Sequence, residues 1–502
     1  MVFDLEDRIR AYAEHLDDTT PSVGPETARR IAEHRPRSTR LTAAVAAAGL
    51  VVLALALVVV LNPLGSESPV VEQPATVSTA VASEPTTNSE AGPTATTGTA
   101  PTTTTEAPTP PVTMTWTRIE SDVFGGSGQQ WIRDIAAGGS RLVAVGADGS
   151  GGDLDAAVWY STDGSTWSKV VHDEAVFGGP GDQYMMAVTA GGPGFVAVGE
   201  DTSEDGSSGI SAVWISEDGI SWSRVPHDEA AFGGTEQTNV FMKDVTVFGS
   251  ELVAVGVEVT EGSADAVAWI SADGISWERV PHDEAVFGGP QFQVMWAVVP
   301  AGPGLVAVGQ GGDLAGESGP GQPAAVWTST DGRDWSRVPE QAGLLSGYPA
   351  RGPDNGDWAR MDDVIVGGPG LVAAGRVGRC QDLACTEDAA VWTSVDGVTW
   401  GRSTIEEAVG MNFDRIFGVS SFGDLLVATG VGRAADVNLG PAVVRTSTDG
   451  GRTWDRVMSA AAFGKLNEGP NAIYASVEVE SSLIAVGSWG SDAAIWIATN
   501  EE

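Results

Sequence analysis

A histidine followed by two acids recurs three times. The motif His-Asp-Glu-Ala-x-Phe-Gly-Gly stands at His172, His227 and His282. Imidazole beside carboxylate is ligand chemistry for a divalent ion. The same residues also suit a short helical turn, because Asp and Glu favour a helix N-terminus; Phe177, Phe232 and Phe287 would then anchor it. Copies in successive repeats lie apart, so three histidines do not converge on one ion. A second chemistry is offered by Cys380 and Cys385, close enough for a local disulfide, with a reactive thiol pair as the alternative. Two cysteines are too few for a disulfide scaffold or a four-ligand zinc site. A third lies in acidic segments of unequal length: Asp148–Asp155, Glu200–Gly209, Gln310–Pro323, Arg376–Asp388 and Val431–Pro441. Their carboxylates suit Ca²⁺ or a cationic ligand, with solvated surface as the plainer reading. No other cofactor is indicated.

What must position these groups is a repeated hairpin. Its clearest copy is Ala266–Val280, AVAWISADGISWERV. Apolar runs flanking a Gly-containing turn read as two antiparallel strands. The turns pair Asp163 with Trp167, Asp218 with Trp222, Asp273 with Trp277, Asp331 with Trp335, Asp396 with Trp400 and Asp449 with Trp454. The tryptophans are spaced by 55, 55, 58, 65 and 54 residues. A period near this length, built from short strands, predicts a β-propeller. Each unit has a first strand, a Gly-rich turn, and a second strand of the type Leu252-Val-Ala-Val-Gly256. A variable loop and the Asp-Gly hairpin complete it. Four antiparallel strands form one blade.

The second strands end at Gly146, Gly199, Gly256, Gly309, Gly375, Gly430 and Gly487, but only six hairpins are complete. Met114–Ile119 supplies the missing strand, with Trp116 at the hairpin tryptophan's position. The expectation is an all-β, seven-bladed propeller over 114–502, whose ring is closed by pairing Met114–Ile119 with Ala494–Thr499, leaving no open edge pair at the junction.

First strands of a propeller line its channel. Aligned on the Gly that ends the second strand, they place Arg133, Met186, Lys243, Trp296, Asp362, Phe417 and Tyr474 at one level. Asp134, Asp244 and Asp363 fall at the next, with Arg415 nearby. Charges and aromatic rings at a channel mouth suit a small polar ligand, and packing between blades is the competing use.

The hairpin turn resembles the Asp box of sialidase-like (BNR-repeat) propellers, whose pattern is Ser-x-Asp-x-Gly-x-Thr-Trp. Ser447, Asp449, Gly451, Thr453 and Trp454 match it fully; the other copies are one residue shorter. The resemblance covers residues 114–499. It implies that the Asp-box residues are structural and lie away from the binding face. Sialidases are six-bladed and use three arginines, a Tyr-Glu pair and an Asp acid/base. Here the ring offers Arg133 and Arg415, Arg118-Ile-Glu120 lacks the family's proline, and Tyr474 has no Glu partner in sequence. The sialidase catalytic set is therefore not expected.

Residues 1–40 read as a short cytoplasmic segment. Leu41–Leu61 carries no charge over 21 residues, which matches the ~20 a helix needs to cross a bilayer. Arg29, Arg30, Arg35, Arg37 and Arg40 precede it and favour an inside N-terminus. A signal peptide is the alternative, but its apolar region is shorter and nearer the start. The expectation is a single-pass signal anchor at 41–62, a Thr/Pro-rich stalk at 63–113 whose composition suits O-glycosylation, and the propeller outside the cell. The formal net charge is −40, with 67 acidic against 27 basic residues. Such a surface repels nucleic acid. Three functions remain open: a binding or scaffold module for an extracellular polysaccharide, peptide or protein; a cell-surface glycoside hydrolase; and a transmembrane sensor.

Overall fold

In the computed structural model the described residues are 114–500, apart from 205, 234–237, 261–262, 290–291, 303, 312–321, 340, 342–356, 382–383, 406–413, 433–439, 458–459 and 465–470. The expected cytoplasmic segment, membrane span and stalk lie outside them. Among the described residues no helix is long and apolar enough to cross a membrane.

Among the described residues the strands form seven sheets, one for each expected blade. Blade 1 runs Gln130–Gly138, Arg141–Asp148, Asp155–Ser161 and Ser168–Lys169 from the inside outward. Blades 2 to 6 begin at Gln183, Thr238, Val294, Asp357 and Arg415. Blade 6 carries a fifth, two-residue strand, Thr404–Ile405, parallel to its outermost one. Blade 7 takes Asn471–Val479, Ser482–Trp489 and Asp492–Asn500 from the C-terminus. Its outer strand is Met114–Arg118, in register Met114 to Asn500 and Trp116 to Ala498. The ring is therefore closed by the N-terminal strand, as the count of second strands requires.

Fully buried Trp159, Trp214, Trp269, Trp327, Trp392 and Trp496 on the third strands fill the core. Burying an indole of on the order of 200 Å² contributes about 5 kcal/mol as an upper estimate. Five of these rings also donate Nε1–H to a carbonyl of a helical turn, as Trp269 does to Ala231 (2.6 Å) and Trp214 to Val176 (2.7 Å). That bond ties each blade to the segment before it.

The Asp boxes behave as structural turns. Asp273 Oδ1 accepts the amides of Ile275 (2.8 Å) and Ser276 (2.7 Å), and Trp277 donates back to Gly274 O (3.0 Å). Gly274 takes φ +77°, a region costly for any residue with a Cβ. These turns share a face with the turns joining first and second strands: one open cleft of about 420 Å³ is lined by Pro193, Ser250 and Asp273 together. Loops between second and third strands leave by the other face.

One of those loops is corrected. Arg376–Asp388 is read from sequence as irregular, but most of it is strand, Gly370–Gln381 paired with Ala384–Ser394. Cys380 stands directly opposite Cys385 in this ladder.

Candidate functional site

Every innermost strand carries a β-bulge at the same level. The register skips Arg133, Met186, Lys243, Trp296, Asp362, Phe417 and Tyr474 in turn. These are the seven residues that alignment placed at one channel level. A bulge breaks the in-out alternation and re-aims a side chain. The glycine ending each second strand explains the device. A Cβ on Gly309 would meet Val294 O at 1.9 Å, and one on Gly375 would meet Arg360 O at 2.1 Å. The repeated Gly thus leaves room for the carbonyl that the bulge pushes across.

Around this ring the protein buries charge. Lys243 pairs with Glu200 from the second strand of blade 2. Its ammonium lies 5.1 Å from the ring centres of Phe241 and Trp296. Arg360 donates from Nε to Asp362 (2.7 Å) and stacks 4.1 Å above Trp296. Arg415 donates from Nε to Glu387 (2.5 Å). Arg133 stacks 4.9 Å from Tyr474, which packs 5.3 Å from Phe417. With Arg376, five cationic side chains gather here beside Glu200, Asp362 and Glu387, and Asp134 and Asp363 stand within electrostatic reach of Arg133, in a protein whose formal charge is −40. Burial lowers the pKa of Arg133 and Lys243, and it raises that of Tyr474.

Arg376 is the least satisfied member. It is fully buried, and Nε, Nη1 and Nη2 all lack a hydrogen-bond partner. Asp362 and Glu387 each stand 3.6 Å away. Burial lowers its pKa to about 10. Trp296 Nε1 and Asp362 Oδ2 are likewise enclosed and unpartnered.

The second expected level has a different role. Asp134 accepts the amides of Ile135 (2.8 Å) and, in the next blade, Val188 (2.7 Å). Asp244 does the same with Val245 and Val298, and Asp363 with Val364 and Val419. Sequence reading grouped these three with the ligand-facing residues; both oxygens of each are in fact taken by backbone, so they staple blades 1 to 2, 3 to 4 and 5 to 6. Between blades 6 and 7 the hydroxyls of Ser420 and Ser476 meet at 2.7 Å. Burial raises the pKa of Asp134 to about 7 and of Asp363 to about 6, and lifts that of Asp244 well above normal.

Alignment singled out neither Glu200 nor Arg360, Arg376 or Glu387. A signal was present: the residue after the glycine is Ala147, Glu200, Val257, Gln310, Arg376, Val431 or Ser488, and only two of these are charged.

The histidine motifs sit elsewhere, on exposed turns. Asp173, Asp228 and Asp283 cap their turns through the amides of Ala175, Ala230 and Ala285. Asp155, His172 and Glu174 gather their ligand atoms within 4.8 Å, as do Asp265, His282 and Glu284. At His227 the matching third position is Ile210, yet the imidazole keeps the same packing against Phe232 (6.2 Å) as His172 has against Phe177 (6.4 Å). The shared feature of the three copies is thus the turn, not a ligand set.

No protein-family model matches the chain, and no curated protein matches it in sequence. Solved structures similar to it include an ulvan lyase bound to a saccharide fragment, at 11% identity and TM-score 0.46, over 77% of this chain and 96% of that one. An α-L-arabinanase of Penicillium chrysogenum follows at 13% identity and TM-score 0.40, over 76% and 98%. A Trypanosoma rangeli sialidase mutant gives 12% and 0.39, over 76% and 58%. At such values the likeness carries no argument about this chain's site or activity.

Proposed function

We propose that the chain is a membrane-anchored extracellular propeller that binds a polar ligand at the mouth of its central channel. The observation that carries this reading is the ring of seven bulges, which brings cations and aromatic rings together where folding alone would favour apolar packing. Buried ion pairs stabilise little against hydrophobic substitutes, so five cations here point to recognition. The uncharged segment 41–62 and its flanking arginines support the anchor. The test is a glycan-array screen of the full-length protein. Binding should be lost in Trp296→Ala and kept in the Asp-box variant Asp273→Ala. Binding indifferent to Trp296 would place the ligand elsewhere.

A glycoside hydrolase is the second reading, favoured by two carboxylates, Asp362 and Glu387, flanking one arginine at 3.6 Å each. Hydrolysis of an aryl glycoside that disappears in Glu387→Gln would select it.

A further inference from the structure

We infer that the ligand group held at the channel mouth is an oxyanion, a carboxylate or a sulfate, and that Arg376 anchors it. This rests on the channel-mouth reading above and narrows it to one charge class. Three guanidinium donors of Arg376 are enclosed without a hydrogen-bond partner, and Trp296 Nε1 is a fourth such donor in the same cluster. A buried donor left unpaired is costly. The flanking carboxylates at 3.6 Å attract the guanidinium but lie beyond hydrogen-bond length. An oxyanion presents two or more acceptor oxygens and matches the planar donor fork that these carboxylates fail to engage.

Arg376 is sealed from bulk solvent, so the anion reaches it through a side-chain movement. Arg133 is the least buried cation of the cluster and lies within electrostatic reach of Arg376, Asp362 and Tyr474. It is the cation of the cluster that an anion entering from the channel meets first. The acidic exterior and the cationic mouth then select together: the surface disfavours polyanions, while the mouth accepts one anionic group on a small solute or chain end.

The experiment is equilibrium dialysis of the full-length protein against radiolabelled sulfate and, separately, glucuronate, in constant chloride. Saturable uptake of at least one probe is expected, weakened about tenfold or more in Arg376→Gln and in Arg133→Gln. The exposed pair Arg333–Glu251 on the Asp-box face gives the control, and Arg333→Gln should bind as the parent does. Sulfate uptake identifies a tetrahedral oxyanion, glucuronate uptake a carboxylate. If Arg376→Gln does not fold, Arg133→Gln and Arg376→Lys carry the test. No saturable uptake of either probe, or uptake unchanged in these variants, overturns the inference. A neutral saccharide whose binding is lost in Trp296→Ala but kept in Arg376→Gln would preserve the channel-mouth reading and refute the anion.

Discussion

Aspartates of the Asp boxes and aspartates of the channel accept the same kind of bond but fall on opposite sides of the usual carboxylate pKa. Asp163, Asp218, Asp273, Asp331 and Asp396 are exposed, and their backbone hydrogen bonds pull them down, Asp396 to about 2. Asp134 and Asp363 also take two amides each, yet burial lifts them to about 7 and about 6. The difference is the surroundings. Water solvates the exposed carboxylates from outside the turn; the channel aspartates are enclosed by blades and face one another's charge. The outer set therefore stabilises turns as anions, while the inner set holds blades together at an electrostatic cost.

The largest expected effect comes from removing the bulge beneath the inner set. Gly309→Ala drives a methyl into Val294 O and should cost about 3 kcal/mol, read from denaturant unfolding. A cost near zero would mean the bulge is incidental. Asp244→Ala strands the amides of Val245 and Val298 inside the ring and should cost about 2 kcal/mol. Asp273→Ala frees amides at an exposed turn, where water replaces the carboxylate, and should cost about 1 kcal/mol. Equal costs for these two variants would remove the distinction between inner and outer sets.

The pH profile also separates the sets, because its sign differs between them. Unfolded aspartate titrates near about 3.9. Asp134 and Asp363, raised in the folded state, bind protons there that the unfolded chain has lost, so stability falls as pH rises from about 4 to about 7. The Asp-box carboxylates, lowered in the folded state, contribute stability above about 4 that is lost as pH falls. The unfolding midpoint should be higher at pH 5 than at pH 8. A midpoint rising over that interval would contradict the assignment.

Much of the fold was legible because the repeat repeats its constraints. Seven glycines after the second strands counted the blades, and Trp116 marked the closing strand. The ring from Arg133 to Tyr474 was also legible, since the same glycines index the bulges. The role of Asp134, Asp244 and Asp363 was not, because a carboxylate that staples two backbones and one that faces a ligand have the same sequence signature. Arg376 was hidden differently. A charged residue that ends the apolar run Leu371–Gly375 resembles the start of a loop, and only its register against Arg360 shows that the strand continues.

The most direct measurement is a crystal structure of the full-length protein grown with sulfate and with glucuronate. An oxyanion bonded to Arg376 and Trp296 Nε1, inside the ring of bulged residues, is the predicted result. Either probe seated only on the Asp-box face or the outer loops, with the Arg376 donors still unpartnered, would contradict the account.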